Sequence, residues 1–186
     1  MITIAQLWMP ILVTAVLIFI ASSLIHMVFK WHNSDYRMLG NEDEVRAAIR
    51  AASAAPGQYV IPHCADMKDM AGETMQQKYR EGPVALLTLK ANGAPDMGKA
   101  LGAWFLFCIA VAALAGCLAA GAFPAGKMQA HDAGQLVGVA SFLAYFGGSV
   151  QMAIWMGKPW IAVSKDLLDS LIFGTISAVV FMWLWP

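Results

Sequence analysis

Four apolar runs, each long enough to cross a bilayer, constrain this chain more than anything else in its sequence. They extend over approximately Trp8–Phe29, Leu101–Phe123, Leu136–Met156 and Leu167–Trp185. A hydrocarbon core of about 30 Å takes roughly 20 apolar residues in helical form. Only a helix or a closed barrel satisfies its own backbone N–H and C=O groups where water is excluded. Composition agrees. Hydrophobic residues make up 59% of the 186 and charged residues 13%, with a mean hydropathy of +0.60, against ~45–50% and ~25% in soluble domains. The expected fold is an all-α membrane protein, a four-helix transmembrane bundle. The first run lacks a basic leading segment and a small-x-small cleavage site, so it reads as an uncleaved anchor.

Between the first and second runs lies the one polar stretch large enough to fold. The chain therefore divides into a first span (1–30), an insert (31–98) and spans two to four (99–186). Within the insert, Asn41 followed by Glu44 reads as a helix start, and that helix runs toward Pro56-Gly57. Tyr59-Val60-Ile61 and Val84–Leu89 read as strands. Asp66–Tyr79 reads as a second helix weakened by Gly72, and Gly82-Pro83 and Asn92-Gly93 supply turns. A small α+β unit of this size has a marginal core.

Orientation follows from basic residues. Eleven Lys and Arg fall on the side that holds the insert and the loop between spans three and four, while only Lys127 falls on the other side. Positive charge stays on the cytoplasmic side, so the insert is expected inside and both termini outside. Trp8, Trp183 and Trp185 mark the outer ends, and Trp31, Trp155 and Trp160 the inner ends, as aromatic belts do. Twelve basic residues balance twelve acidic ones, so no surface for nucleic acid is implied.

Small residues at four-residue spacing let membrane helices approach closely. Ala112, Gly116 and Ala120 form such a row in the second span, and Gly134, Gly138 and Gly148 lie in the third. They predict a tight hairpin of spans two and three, or a face that docks another protein's helix. An ionisable group inside a span is a candidate for function. His26, Gln151 and Asp169 share one depth, so they form a candidate polar cluster. Alternatively, His26 bonds within the bundle and Asp169 sits at the headgroups beside Lys165 and Asp166. His32, Asp35, Tyr36 and Arg37 lie where the first span meets the insert and are candidates for docking a partner.

The three cysteines form no disulfide framework. Cys108 and Cys117, nine residues apart, fall on opposite faces at about 100° per residue. His63, Cys64 and Met67 are the soft-metal alternative, since thiolate and thioether suit Cu(I), but neighbouring His63 and Cys64 point apart in an extended chain. His26 and His32 are the alternative for metal or haem, without a histidine in another span to complete an axial pair. No nucleophile elbow, phosphate loop or HExxH motif is present. The expectation is a non-catalytic accessory or scaffold subunit without a cofactor, with the bilayer and a membrane protein or a second copy as partners. Metal or haem handling is the alternative. Transport of a small solute comes third, resting on Ser141, Tyr145, Ser149, Gln151, Thr175 and Ser177.

Several segments resemble an uncharacterised family of small bacterial inner-membrane proteins. They are Ser22-Ser23 with His26, Trp31-His32-Asn33-Ser34-Asp35-Tyr36, Asn41-Glu42-Asp43, Gly82-Pro83-Val84, Gly98 with Leu101-Gly102, and Leu184-Trp185-Pro186. The resemblance implies four spans in a bacterial inner membrane. It carries no assigned reaction, so it implies no catalytic residues.

Overall fold

The computed structural model describes residues 2–122 and 129–186. The chain forms two compact units, one of residues 1–37 with 96–186 and one of residues 38–95. The first is a bundle of four membrane-spanning helices. Its first span runs Ile4–Phe29, with α1 (Trp8–Ser23) as its regular middle.

In the other unit, α2 (Glu42–Ala51), β1 (Gly57–Ile61), α3 (Glu73–Glu81) and β2 (Ala85–Leu89) follow in order. The remaining spans are α4 (Met97–Ala122), α5 (Ala130–Met156) and α6 (Trp160–Leu184). Phe123 and the loop residues 124–128, Lys127 included, lie outside the described residues.

The helices form a ring in which α1 packs on α4 and α6, and α5 packs on α4 and α6. Leu7 and Ile11 meet Ala112, Ala115, Ala119, Val137 and Phe181 in one apolar cluster. Ala15, Ile18 and Ile25 meet Cys108 and Phe173 in a second. Outward-facing Leu12, Leu17, Leu106, Leu114, Leu143 and Leu171 are exposed. This continuous apolar coat suits lipid and would be untenable in water.

The tightest pair is α5 with α6, which corrects the expected hairpin of spans two and three. A Cβ on Gly138 would stand 2.8 Å from Ala178 Cβ and 3.0 Å from Gly174 O, and one on Gly134 would stand 2.7 Å from Ala178 O. Gly116 instead faces the Phe181 ring of α6, where a Cβ would come within 2.9 Å, and Leu7 of the first span. Ala112 is buried and Ala120 partly buried in the first cluster. Gly148 has nothing within 4 Å of such a Cβ and makes no close crossing. The α5–α6 connection is short: Gly157 closes α5 at φ 72° and Pro159 precedes α6, the arrangement that favours Gly past one helix end and Pro at the next start.

In residues 38–95, β1 and β2 pair antiparallel with Tyr59 opposite Leu87. The expected helix over Asp66–Tyr79 is broken. Extended Gly72 separates a 3-10 turn, Met67–Ala71, from α3, and the Asp66 carboxylate accepts from Lys68 N at 2.9 Å to start that turn. Asn41 stands at the start of α2, but its amide donates to Glu44 Oε2 at 3.2 Å instead of capping the backbone. The expected insert of residues 31–98 also shrinks: residues 31–37 and 96–98 belong with the bundle.

Candidate functional site

Below Ser23 the first span widens into a π-helical turn, Leu24–Phe29, closed by Lys30 N–H donating to Ile25 O at 2.9 Å. Such turns are rare and frequent at functional sites. Lys30 then adopts φ 54°, a left-handed conformation uncommon for a residue with a Cβ. The reversal starts a 3-10 turn, Trp31–Asp35, whose side chains meet α6.

Asp169 is the anchor of that meeting. It is 6% exposed and lies nine residues beyond Trp160, about 14 Å along the helix at 1.5 Å per residue. The Trp31 indole N–H donates to Asp169 Oδ1 at 3.2 Å, and His32 Nε2 lies 2.9 Å from Asp169 Oδ2. The other His32 nitrogen, Nδ1, lies 2.8 Å from Asp35 Oδ2. Carboxylates only accept, so both bonds form together when the ring carries both protons. Lys165, one turn before Asp169, pairs with the Asp35 carboxylate and donates to Trp31 O and Ser34 Oγ, both at 2.7 Å. Each carboxylate of the group therefore has hydrogen-bonding partners, Trp31 and His32 at Asp169 and His32 and Lys165 at Asp35, which is how a carboxylate is tolerated away from water. Burial pushes the Asp35 carboxyl up, but the hydrogen bonds and charges of Lys165 and His32 outweigh it and hold the group below its ordinary value of 3.8.

His26 completes the group. Its ring stacks on His32 with centroids 4.9 Å apart and planes 7° from parallel, and its Nδ1 donates to Ser22 O at 2.9 Å. One donor atom from each of His26, His32 and Asp169 falls within 4.8 Å of the others. Beside them opens a cavity of about 390 Å³, lined by His26, Trp104, Tyr145, Lys158, Asp166 and Asp169 among others. The Trp104 indole N–H and the Tyr145 hydroxyl are buried without a hydrogen-bond partner. Across the cavity Asp166 pairs with Lys158 and accepts from Ser149.

The structure brings His26 and Asp169 together, whereas Gln151 is exposed and hydrogen-bonds to neither. His26 does bond within the bundle, and Asp169 is buried, one turn from Lys165 and lining the same cavity as Asp166. The docking set divides. Tyr36, 87% exposed, and Arg37 stay on the surface, whereas His32 and Asp35 turn inward and are engaged by Asp169 and Lys165.

His63 and Met67 are exposed, and the Cys64 thiol donates to Asp66 O at 3.0 Å. Neither His63 nor Cys64 joins a group of three close donors; among the described residues that group is His26, His32 and Asp169. Rings stacked 4.9 Å apart leave no room for a porphyrin between His26 and His32.

Trp31 and Lys165 were missed as site residues. Trp31 reads as a belt anchor, yet its N–H is spent on Asp169. The four-residue spacing of Lys165 and Asp169, which puts both on one helix face, was the available signal. Comparison with protein-family models, with curated proteins and with solved structures finds no match to this chain, so geometry alone carries the functional reading.

Proposed function

We propose that this membrane protein is a non-catalytic accessory or scaffold subunit of a larger complex in the bacterial inner membrane. In this reading both termini lie outside and the polar unit lies in the cytoplasm. One observation carries it: no residue between 38 and 95 is buried, although the unit displays Met38 at 85% exposure and Val60 at 49%, with Ile61, Met67 and Val84 also exposed. A unit of under 60 residues whose apolar side chains, Leu86 and Leu87 among them, are at most partly buried has a marginal core, and a partner's surface would complete it. The eleven-to-one distribution of Lys and Arg supports the orientation, and exposed Trp8, Trp183, Trp155 and Trp160 suit the two interfaces.

The test is to replace Val60, Ile61 and Val84 by Ser and isolate the protein in mild detergent. A companion protein should be lost while the bundle keeps its helix content and unfolding midpoint. Undiminished recovery of the companion contradicts this reading.

A further inference from the structure

We propose that His26, His32 and Asp169 form a binding site for one divalent first-row transition-metal ion of the zinc class. This goes beyond the subunit reading and does not depend on it. The three residues come from separate elements: the π-helical turn, the 3-10 turn that follows it, and α6. Two imidazoles and one carboxylate are the donor set of open zinc and non-haem iron sites. The set lacks the thiolates that favour Cu(I) and the all-oxygen shell that favours Ca²⁺ or Mg²⁺.

The surroundings carry the assignment further than proximity does. A ligating histidine almost always donates its other ring nitrogen to a carbonyl or carboxylate, and a ligating carboxylate is itself hydrogen-bonded. All three residues meet that pattern. His26 commits Nδ1 to Ser22 O at 2.9 Å, leaving Nε2. His32 commits Nδ1 to Asp35 Oδ2 at 2.8 Å, leaving Nε2 beside Asp169, and Lys165 fixes Asp35 in turn. Asp169 commits Oδ1 to the Trp31 indole, leaving Oδ2.

Donors that now lie within 4.8 Å of one another would close to about 3.3 Å around a tetrahedral ion with ligands at roughly 2.0–2.1 Å. An imidazole binds an ion in its ring plane, so the stacked His26 and His32 rings, 7° from parallel, must also tilt toward one another as the ion enters. A metal-bound imidazole nitrogen carries no proton, so any proton shared by His32 Nε2 and Asp169 Oδ2 is released to solvent as the metal–nitrogen bond forms. Three protein ligands leave a coordination position, and the neighbouring 390 Å³ cavity gives room for water or an oxygen ligand there.

The experiment uses the full chain, purified in detergent and stripped with a chelator, then titrated with Zn²⁺ and separately with Co²⁺ as a spectroscopic probe. One saturable equivalent of Zn²⁺ per chain is expected, with a Co²⁺ absorption of the intensity that four-coordinate sites give. His32→Ala and Asp169→Asn should each weaken binding at least about 100-fold, and Asp35→Asn, which removes an outer contact, about 10- to 100-fold. His63→Ala, outside the group, should change nothing. Absence of saturable Zn²⁺ uptake by the unmodified chain overturns the proposal without recourse to any variant. So does uptake that survives both His32→Ala and Asp169→Asn, or that disappears in His63→Ala.

Discussion

At the scale of single residues, the molecule turns on one buried carboxylate and the groups that make its burial tolerable. Asp169 accepts from Trp31 and His32, His32 reaches Asp35, and Asp35 is held by Lys165. The link between Asp35 and Lys165 has a defined pH dependence. Because the folded-state pKa of Asp35 lies below its ordinary value of 3.8, its stabilisation is complete above that value and is lost as pH falls through the lowered one. Replacing Asp35 with Asn should therefore cost about 1–3 kcal/mol at neutral pH. The difference from the unmodified chain should stay level down to about pH 4 and shrink in stronger acid. Unfolding midpoints in detergent across that range measure it, and a difference that already declines between pH 7 and 5 would assign the stabilisation to another group. Part of this network was legible in the sequence, since His26 and Asp169 share a depth. Trp31 and His32 were not, because depth says nothing about the left-handed turn at Lys30 that folds the following residues back toward α6.

Between helices, close approach is decided by which small-residue row meets which neighbour, and a row does not name its partner. The small residues of α5 face α6, where Gly138 and Gly174 each stand close to the other's carbonyl oxygen. The matching row on α6, Ser170, Gly174 and Ala178 at four-residue spacing, was the signal that could have assigned the pair. Gly138→Ala puts a methyl within 2.8 Å of Ala178 Cβ and should destabilise the bundle by about 1–3 kcal/mol. Gly148→Ala, in open space, should be neutral or slightly stabilising, because alanine suits a helix interior better than glycine. Denaturant unfolding of the two variants decides it; equal effects would mean that the α5–α6 crossing is not the tight one. The span limits were legible from hydropathy to within about four residues except for the starts of α5, which begins at Ala130 instead of Leu136, and of α6. Its first turns carry Lys165 and Asp166 and read as loop, so the helix begins at Trp160 instead of Leu167.

For the whole molecule, four spans and a small α+β unit follow directly from the spacing of apolar and polar stretches, and that much the sequence displays openly. What it conceals is that residues 31–37 join the bundle, since their hydrogen bonds run to a helix more than 130 residues away. Cys64, the one cysteine of the polar unit, is a natural reporter of sidedness. Cys108 is buried, and Cys117 lies on the exposed face of a span. A maleimide that cannot cross membranes should label Cys64 in inverted vesicles and not in intact spheroplasts; the opposite result would reverse the proposed orientation. The subunit reading itself is tested most directly by the mass of the native particle released in mild detergent. It predicts a particle heavier than the 20.0 kDa chain that contains a different membrane polypeptide in fixed stoichiometry. A single chain, or an assembly of this chain alone, would contradict it.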